Sequence, residues 1–350
     1  MPTLPVMPPP TGCAIWFKPG FASVKGGTTF SINGSSFLPV KIADLSDINI
    51  GDILTTSWIL IFFDGTQWLV IGGANRAPGQ LPSLQSIVDW YVNTTTGNDS
   101  TLDGTSATVS GTHGPFKTIQ RGVNECYKYN MNNYNQNIHI ADGTYNESVI
   151  LNVPNGAGSI FLIGNDAVPN NCRITSTAAN SSAVSIIGGQ WYVHGFRLSA
   201  TGTGSSFGIA SQSSAHSFIN NLQFGPCTAY HISSSYSSAI TLYGGTFIIE
   251  GAATASGHLQ AYTSASISTY TQLPSPTLTV NGPVSFSTAF IAASDLGSTQ
   301  ANYSSIAGSG NVTGARYYAA NNGVINSGGG GANYYPGSSP GTTATGGQYS

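Results

Sequence analysis

Residues 138–163, Ile-His-Ile-Ala-Asp-Gly-Thr-Tyr-Asn-Glu-Ser-Val-Ile-Leu-Asn-Val-Pro-Asn-Gly-Ala-Gly-Ser-Ile-Phe-Leu-Ile, begin a run of short apolar segments separated by polar turns. The segments form two series. The first comprises 138–140, 160–163, 184–187, 207–209 and 230–232, whose first residues are 22, 24, 23 and 23 positions apart. The second comprises 149–151, 173–175, 196–198, 221–223 and 247–249, at intervals of 24, 23, 25 and 26. Two strand series with one period predict a solenoid in which each coil stacks on the previous one.

One amphipathic helix is predicted in front of the first coil. Pro115 suits the first helical position, and Phe116, Ile119 and Val123 fall on one face at three- and four-residue spacing. The first coil of a solenoid has an unpaired strand edge and an open apolar end, so we expect helix 115–130 to cap it. The predicted fold class is therefore all-β: a right-handed parallel β-helix with an N-terminal capping helix, preceded by a small β domain.

The flanking sequence predicts separate regions. A hairpin is expected at Trp58–Phe63 and Gln67–Ile71, because Asp64-Gly65 between them favours a tight turn. We expect the C-terminal Gly-rich residues to be ordered only by packing between chains, because fixing glycine backbone is entropically costly. The predicted regions are a Pro-rich arm (1–12), a small β domain (13–75), a linker with a first strand (76–114), the capping helix (115–130), the β-helix (131–300) and a trimerisation tail (301–350).

Composition narrows the class of protein. Only 7% of the 350 residues are charged, against roughly 25% in an average soluble domain. The hydrophobic fraction is 40%, so the chain can bury a core, and its surface must be made soluble by hydroxyls and amides. This composition is typical of β-solenoids and extracellular fibrous β proteins. The ten Lys and Arg residues are scattered and the net charge is -3, which argues against a nucleic-acid partner.

We expect no metal site, no signal peptide and no membrane span. The cysteines match no zinc or redox spacing and are interpreted as reduced thiols; they are Cys13, Cys126, Cys172 and Cys227. The N-terminus lacks the basic and apolar regions of a signal peptide, so we expect synthesis and assembly in a cytoplasm. The most apolar stretch, 53–71, is interrupted at Asp64 and is too short to insert into a membrane.

Parts of the chain resemble a known superfamily. Residues 91–99, 114–120 and 138–147 resemble the beginning of the pectin-lyase-like β-helix of bacteriophage tail fibres and tailspikes. Residues 333–347 look like a C-terminal motif of phage structural proteins, and 64–68 resemble a small N-terminal module that anchors fibres to the virion. The resemblance implies a homotrimeric virion protein made in a bacterial host. We expect it to bind other tail proteins through 1–75, to contact the host surface through a glycan, and to need no cofactor.

The alternative function is a tailspike depolymerase that cleaves a host polysaccharide. Glycoside hydrolysis needs two carboxyl groups, and beyond Asp166 the solenoid holds only Glu250 and Asp295. They are about two coils apart, which on one face in register gives a Cα separation of about 10 Å, marginally compatible with inversion. Asp142 and Glu147 lie close in sequence, but Asp142 is interpreted as a turn former.

Aromatic residues supply the candidate glycan contacts, because aromatic rings stack on sugars while amides and hydroxyls bind sugar hydroxyls. The alternative is that these rings fill corners of the coil or a trimer interface. The candidates are Trp191, Tyr192, Tyr230, Tyr236 and Tyr243.

Overall fold

The computed structural model describes residues 11–20, 28–31, 37–43, 45, 47–48, 52–53, 56–73 and 81–350. Most of the predicted Pro-rich arm, residues 74–75 at the end of the predicted small β domain and residues 76–80 of the predicted linker lie outside these ranges. The chain forms two units. One comprises Met1–Val88, Glu125–Asn135 and Asn155–Gly158, and the other comprises Asp89–Asn124, Gln136–Pro154 and Ser159–Ser350.

The first unit contains a small mixed sheet of five strands in the order β1-β4-β5-β3-β2 among the described residues. Its strands are β1 (Ala14–Phe17), β2 (Thr29–Phe30), β3 (Leu38–Ile42), β4 (Ile59–Phe63) and β5 (Trp68–Gly72). Strands β4 and β5 form the predicted antiparallel hairpin, and β3 pairs with β5 in parallel. Ile59, Ile61 and Trp68 point into its core.

Asp64 fixes the hairpin turn. Its carboxylate accepts hydrogen bonds from the backbone N–H groups of Thr66 and Gln67 at 2.8 and 2.9 Å. These bonds stabilise the charged form and lower the pKa of Asp64 to about 2.

The remaining chain is a parallel β-solenoid of about 11 turns. After β6 (Val88–Val92) and helix α1 (Ile119–Cys126) its strands are β7 (Gln136–Ile140), β8 (Gly143–Tyr145), β9 (Val149–Asn152), β10 (Ile160–Ile163), β11 (Cys172–Ser176), β12 (Val184–Ile187), β13 (Gln190–Ala200), β14 (Ile209–Gln212), β15 (His216–Cys227), β16 (Tyr230–Ser234), β17 (Ala239–Leu242), β18 (Thr246–Glu250), β19 (Gly257–Tyr262), β20 (Ser266–Thr269), β21 (Thr277–Asn281), β22 (Val284–Ser294), β23 (Ser298–Gln300), β24 (Ser305–Ala307), β25 (Val312–Ala319), β26 (Val324–Ile325), β27 (Thr342–Thr343) and β28 (Gln348–Tyr349). Two 3-10 turns lie at Pro169–Asn171 and Ser309–Asn311.

These strands build three faces. The first face carries β6, β7, β10, β13, β15, β17, β20, β23, β26 and β28 in that order. The second face carries β8, β11, β18, β21 and β24 together with the second halves of β13 and β15, which run around the corner. The third face is a separate sheet of β9, β12, β14, β16, β19, β22, β25 and β27.

The predicted solenoid is therefore confirmed, but the predicted coil is wrong. Each coil has up to three strands, and from β7 onward register partners on the first face lie from 23 residues apart (Ser217 and Ile240) to 32 apart (Ile267 and Thr299). The first predicted series starts on the first face and continues at Val184 on the third. The sequence period does not separate the two faces, because a long loop follows β10. Ile160 therefore pairs with Trp191, which is 31 residues later.

Helix α1 is shorter than predicted. Phe116 bridges to Val92 in a strand-like pairing, so the helix starts only at Ile119. A Cβ added to Gly122 would lie 3.0 Å from Val92 Cγ2 and 3.2 Å from Ile138 Cγ2, so the helix packs directly on β6 and β7. This position, against the first strands of the solenoid, is the one predicted for the capping helix.

Residue pairs in the left-handed region form the corner between the third and first faces. Tyr236 and Ser237 have φ of 51° and 60°, and Thr263 and Ser264 have 53° and 60°. The same arrangement recurs at Ser213-Ser214, Asp295-Leu296 and Asn321-Asn322. Most of these residues are not the Gly or Asn that usually mark such turns, so the sequence did not reveal the corner.

The C-terminal tail belongs to the solenoid, which does not end at 300. Strand β27 pairs with β25, and β28 pairs with β26. The Tyr335 ring is buried and stacks on Phe290 with centroids 6.0 Å apart. The expectation that only inter-chain packing orders this tail is wrong, because these apolar contacts within the chain offset the entropic cost of its glycines.

Candidate functional site

A ladder of aromatic rings lies on the outside of the first face. Strand alternation points Ile160, Leu162, Trp191, Val193 and Ile219 into the solenoid, where they are buried. The alternate residues point outward and are only half-buried. Phe161, Tyr192 and Phe218 occupy one register position on β10, β13 and β15. Their rings stack with centroids 4.4 and 4.5 Å apart and planes 16° and 8° apart, close to the roughly 4.8 Å spacing of the strands.

The ladder continues from Phe218 towards the end of the face, and a separate ring pair lies towards its start. The Tyr243 ring meets the Phe218 ring edge to face at 5.7 Å and lies 4.9 Å from the Tyr270 ring. Towards the start of the face, Tyr91 stacks on His139 at 5.2 Å, beside a pocket of about 260 Å³ that both residues line. We call the set the aromatic strip; its members are Tyr91, His139, Phe161, Tyr192, Phe218, Tyr243 and Tyr270.

Two carboxylates flank the aromatic strip, and each accepts hydrogen bonds from an amide and an imidazole. Asp89 accepts from Asn137 Nδ2 at 2.9 Å and from His139 Nε2 at 2.8 Å. Burial raises the pKa of Asp89, but these hydrogen bonds and the nearby imidazole outweigh burial and leave the pKa lowered.

The second carboxylate repeats this arrangement. Asp166 accepts from His194 Nδ1 at 2.9 Å and from Asn221 Nδ2 at 3.1 Å. His139 and His194 both pair in register with Ile163, so they lie two strands apart at the same register position. At the usual strand spacing their Cα atoms are about 10 Å apart. The strip thus combines apolar ring surface with ordered hydrogen-bonding groups.

The predicted glycan contacts divide into three groups. Tyr192 and Tyr243 lie together in the aromatic strip. Trp191 and Tyr230 are buried, and the Trp191 indole N–H donates to the carbonyl of Asn152. Buried rings offer little surface to a sugar, so the structure corrects the expectation for these two residues. Tyr236 is 54% exposed, but it lies at the corner between the third and first faces, where it contacts Tyr262.

Sequence reasoning missed most of the strip. Phe161, Tyr192 and Phe218 are 31 and 26 residues apart, so a search at a 23-residue period does not align them. The available signal was strand alternation, because Phe161 and Tyr192 each lie between two buried apolar residues of their strand.

The candidate catalytic carboxylates are not brought together. Glu250 ends β18, where the second face turns towards the third, and both its oxygens accept from Arg197 at 2.5 and 2.8 Å. Gln223 Nε2 donates to the same carboxylate at 2.7 Å. Asp295 lies at a different corner, between β22 and β23, and accepts from Asn321 Nδ2. Glu250 therefore belongs to an ion pair that links β18 to β13, two strands apart with β15 between them.

Asp142 and Glu147 have structural contacts. Glu147 accepts from the backbone N–H groups of Ile119 and Gln120 at 2.9 and 3.0 Å, so it satisfies two donors at the start of α1. Burial raises its pKa. Asp142 accepts from the side chains of Asn165 and Asn171.

The described part of the chain has neither a metal-binding cluster nor a membrane-spanning helix. Its His, Cys, Asp and Glu side chains form no group of three that could hold a metal ion. None of its helices has the length and hydropathy needed to cross a membrane. The four cysteines are free, and burial raises the pKa of Cys172 and of Cys227 to about 12, which keeps both as thiols.

Fold and strip together define a parallel β-solenoid protein with an aromatic surface on one face. No protein-family model, no curated protein and no solved structure matches the chain.

Proposed function

We propose that this chain is a structural protein of a bacteriophage virion, a tail fibre or similar appendage, and that it contacts a host surface glycan through the aromatic strip. The observation that carries the proposal is the ladder of partly exposed rings at Phe161, Tyr192 and Phe218. Rings at strand spacing present an apolar surface along the solenoid axis, while Asn137, His139 and His194 supply hydrogen-bonding groups beside it.

The virion assignment also draws on the resemblance of residues 91–147 to phage fibres. We propose that residues 1–75 attach the protein to other tail proteins, because their small sheet belongs to a unit separate from most of the solenoid. Immunogold microscopy of purified virions should label the tail. Particles made with a chain lacking 1–75 should lose the label, and label at normal density would contradict the anchor.

Glycan contact is tested by binding of the full chain to host cells. Tyr192→Ala with Phe218→Ala should reduce binding at least tenfold, because aromatic contacts are removed from the centre of the strip. The matched control is Tyr236→Ala with Tyr262→Ala, which removes an aromatic pair outside the strip, at the corner between the third and first faces. Equal losses in the two variants would contradict the strip as the contact surface.

We further propose a homotrimer, supported by the low charge of the surface, which lets chains approach with little desolvation of ions. Light scattering should give three times the chain mass for the wild type and for both aromatic variants. A change to monomer in the Tyr192→Ala, Phe218→Ala variant alone would assign the strip to the chain interface instead. We do not propose the depolymerase, because the Glu250 carboxylate is engaged by Arg197.

A further inference from the structure

We propose that the aromatic strip selects polysaccharides without negative charge, and that Asp89 and Asp166 are the residues that make this selection. The inference rests on the proposed glycan contact and adds the chemical class of the ligand. It starts from the distribution of charge over the first face.

The strands under the strip contain no Lys or Arg; they are β6, β7, β10, β17, β20 and residues 190–194 of β13 and 216–220 of β15. Arg197 lies on the second face and is paired with Glu250. An anionic sugar on the strip would therefore meet no guanidinium or ammonium group from these strands.

The Asp89 and Asp166 side chains are 45% and 46% exposed, so a bound glycan can reach both. Asn137 and Asn221 hold them in place as neutral donors, and the hydrogen bonds to Asp89 favour its charged form. Each carboxylate retains acceptor capacity, because it has two oxygens with several lone pairs.

The two carboxylates favour binding of uncharged sugars and disfavour binding of acidic ones. Hydroxyl and acetamido groups of an uncharged sugar can donate to Asp89 and Asp166, and hydrogen bonds to a charged acceptor are stronger than neutral ones. Uronate, sialate or phosphate groups would place like charges next to these carboxylates, which disfavours the complex. The two acids lie beside histidines about 10 Å apart on one column, so the discrimination acts at two points along a chain that follows the axis.

The test is an array of purified bacterial surface polysaccharides, half of them uncharged and half carrying uronate, sialate or phosphate groups. The full-length protein should bind uncharged members at least tenfold more tightly than acidic ones. Asp89→Asn with Asp166→Asn should reduce this ratio at least tenfold, since the amides keep the shape and remove the charge. The matched control is Asp295→Asn, an exposed carboxylate at another corner, which should leave the ratio unchanged.

The outcomes separate the two proposals. A wild-type protein that binds acidic members as tightly as uncharged ones overturns the charge selection, as does an unchanged ratio in the Asp89→Asn, Asp166→Asn variant. If Tyr192→Ala with Phe218→Ala still abolishes binding in that case, the glycan contact stands without the selection. Binding to no member overturns both. Thermal unfolding of every variant checks that a loss of binding is not a loss of fold.

Discussion

The solenoid uses aromatic and histidine side chains twice, once outside and once inside. The aromatic strip lies outside, half-buried, with each histidine held by a carboxylate. An interior cluster buries the same residue types; its members are Phe224, His231, His258, Phe286, Phe290 and Tyr303. There, His231 Nδ1 lies 3.1 Å from His258 Nδ1, and the second ring nitrogen of His258 lies 3.3 Å from the Tyr303 hydroxyl.

The two groups differ in the side of the strand on which the rings lie and in the surroundings of their histidines. A shift of one position along a strand moves a ring from the core to the surface. Inside, burial lowers the pKa of His231 to about 3 and that of His258 well below its ordinary value, so the interior pair is neutral. The interior cluster therefore serves stability, and the strip is free to serve binding.

The largest expected contrast is in stability. Phe290→Ala removes a fully buried ring and should lower the free energy of unfolding by about 3–5 kcal/mol. Phe218→Ala removes a half-exposed stacked ring and should cost about 1 kcal/mol. Denaturant unfolding of the full-length variants compares them directly, and equal losses would erase the distinction between the two groups.

Much of this arrangement was predictable, and the exceptions have physical causes. The hairpin at Asp64-Gly65 and strands such as Ile160–Ile163 follow from local pattern, so the sequence predicts them well. The assignment of strands to faces failed because it depends on loop lengths, such as the long loop after β10. The strip was missed because ring stacking depends on register between distant strands, which local pattern does not contain.

The second contrast is in the pH dependence of stability. The folded-state pKa of His231 is below the unfolded value near 6.5, so the unfolded chain binds a proton first as pH falls. The stability that neutral His231 contributes is fully present above pH 6.5 and is lost as the pH falls towards 3. Over this range the free energy of unfolding falls by up to about 1.4 kcal/mol per pH unit. His258 acts in the same direction.

Replacing both residues, His231→Gln with His258→Gln, should flatten the fall in unfolding free energy between pH 6.5 and 4. Phe290→Ala is the control, because it weakens the same cluster and keeps both histidines. If the double variant retains the wild-type slope, the acid sensitivity does not come from the interior pair.

The smallest expected contrast is between the losses of stability on replacing two carboxylates on the outside of the solenoid. Glu250 accepts three hydrogen bonds, two of them from a guanidinium, so Glu250→Gln should cost about 1–2 kcal/mol of stability. Asp166→Asn should stay within about 0.5 kcal/mol, since Asp166 is nearly half exposed. A larger loss for Asp166→Asn would mean that the strip carboxylate is structural.

The central claim is that the strip contacts host glycan, and hydroxyl-radical footprinting by mass spectrometry tests it most directly. The full chain would be labelled with and without surface polysaccharide purified from a bacterium that it binds. We expect protection of Phe161, Tyr192 and Phe218 on the first face, with Tyr236, at the corner between the third and first faces, still labelled. Unchanged labelling of the three strip rings, with protection at Tyr236 instead, would contradict it.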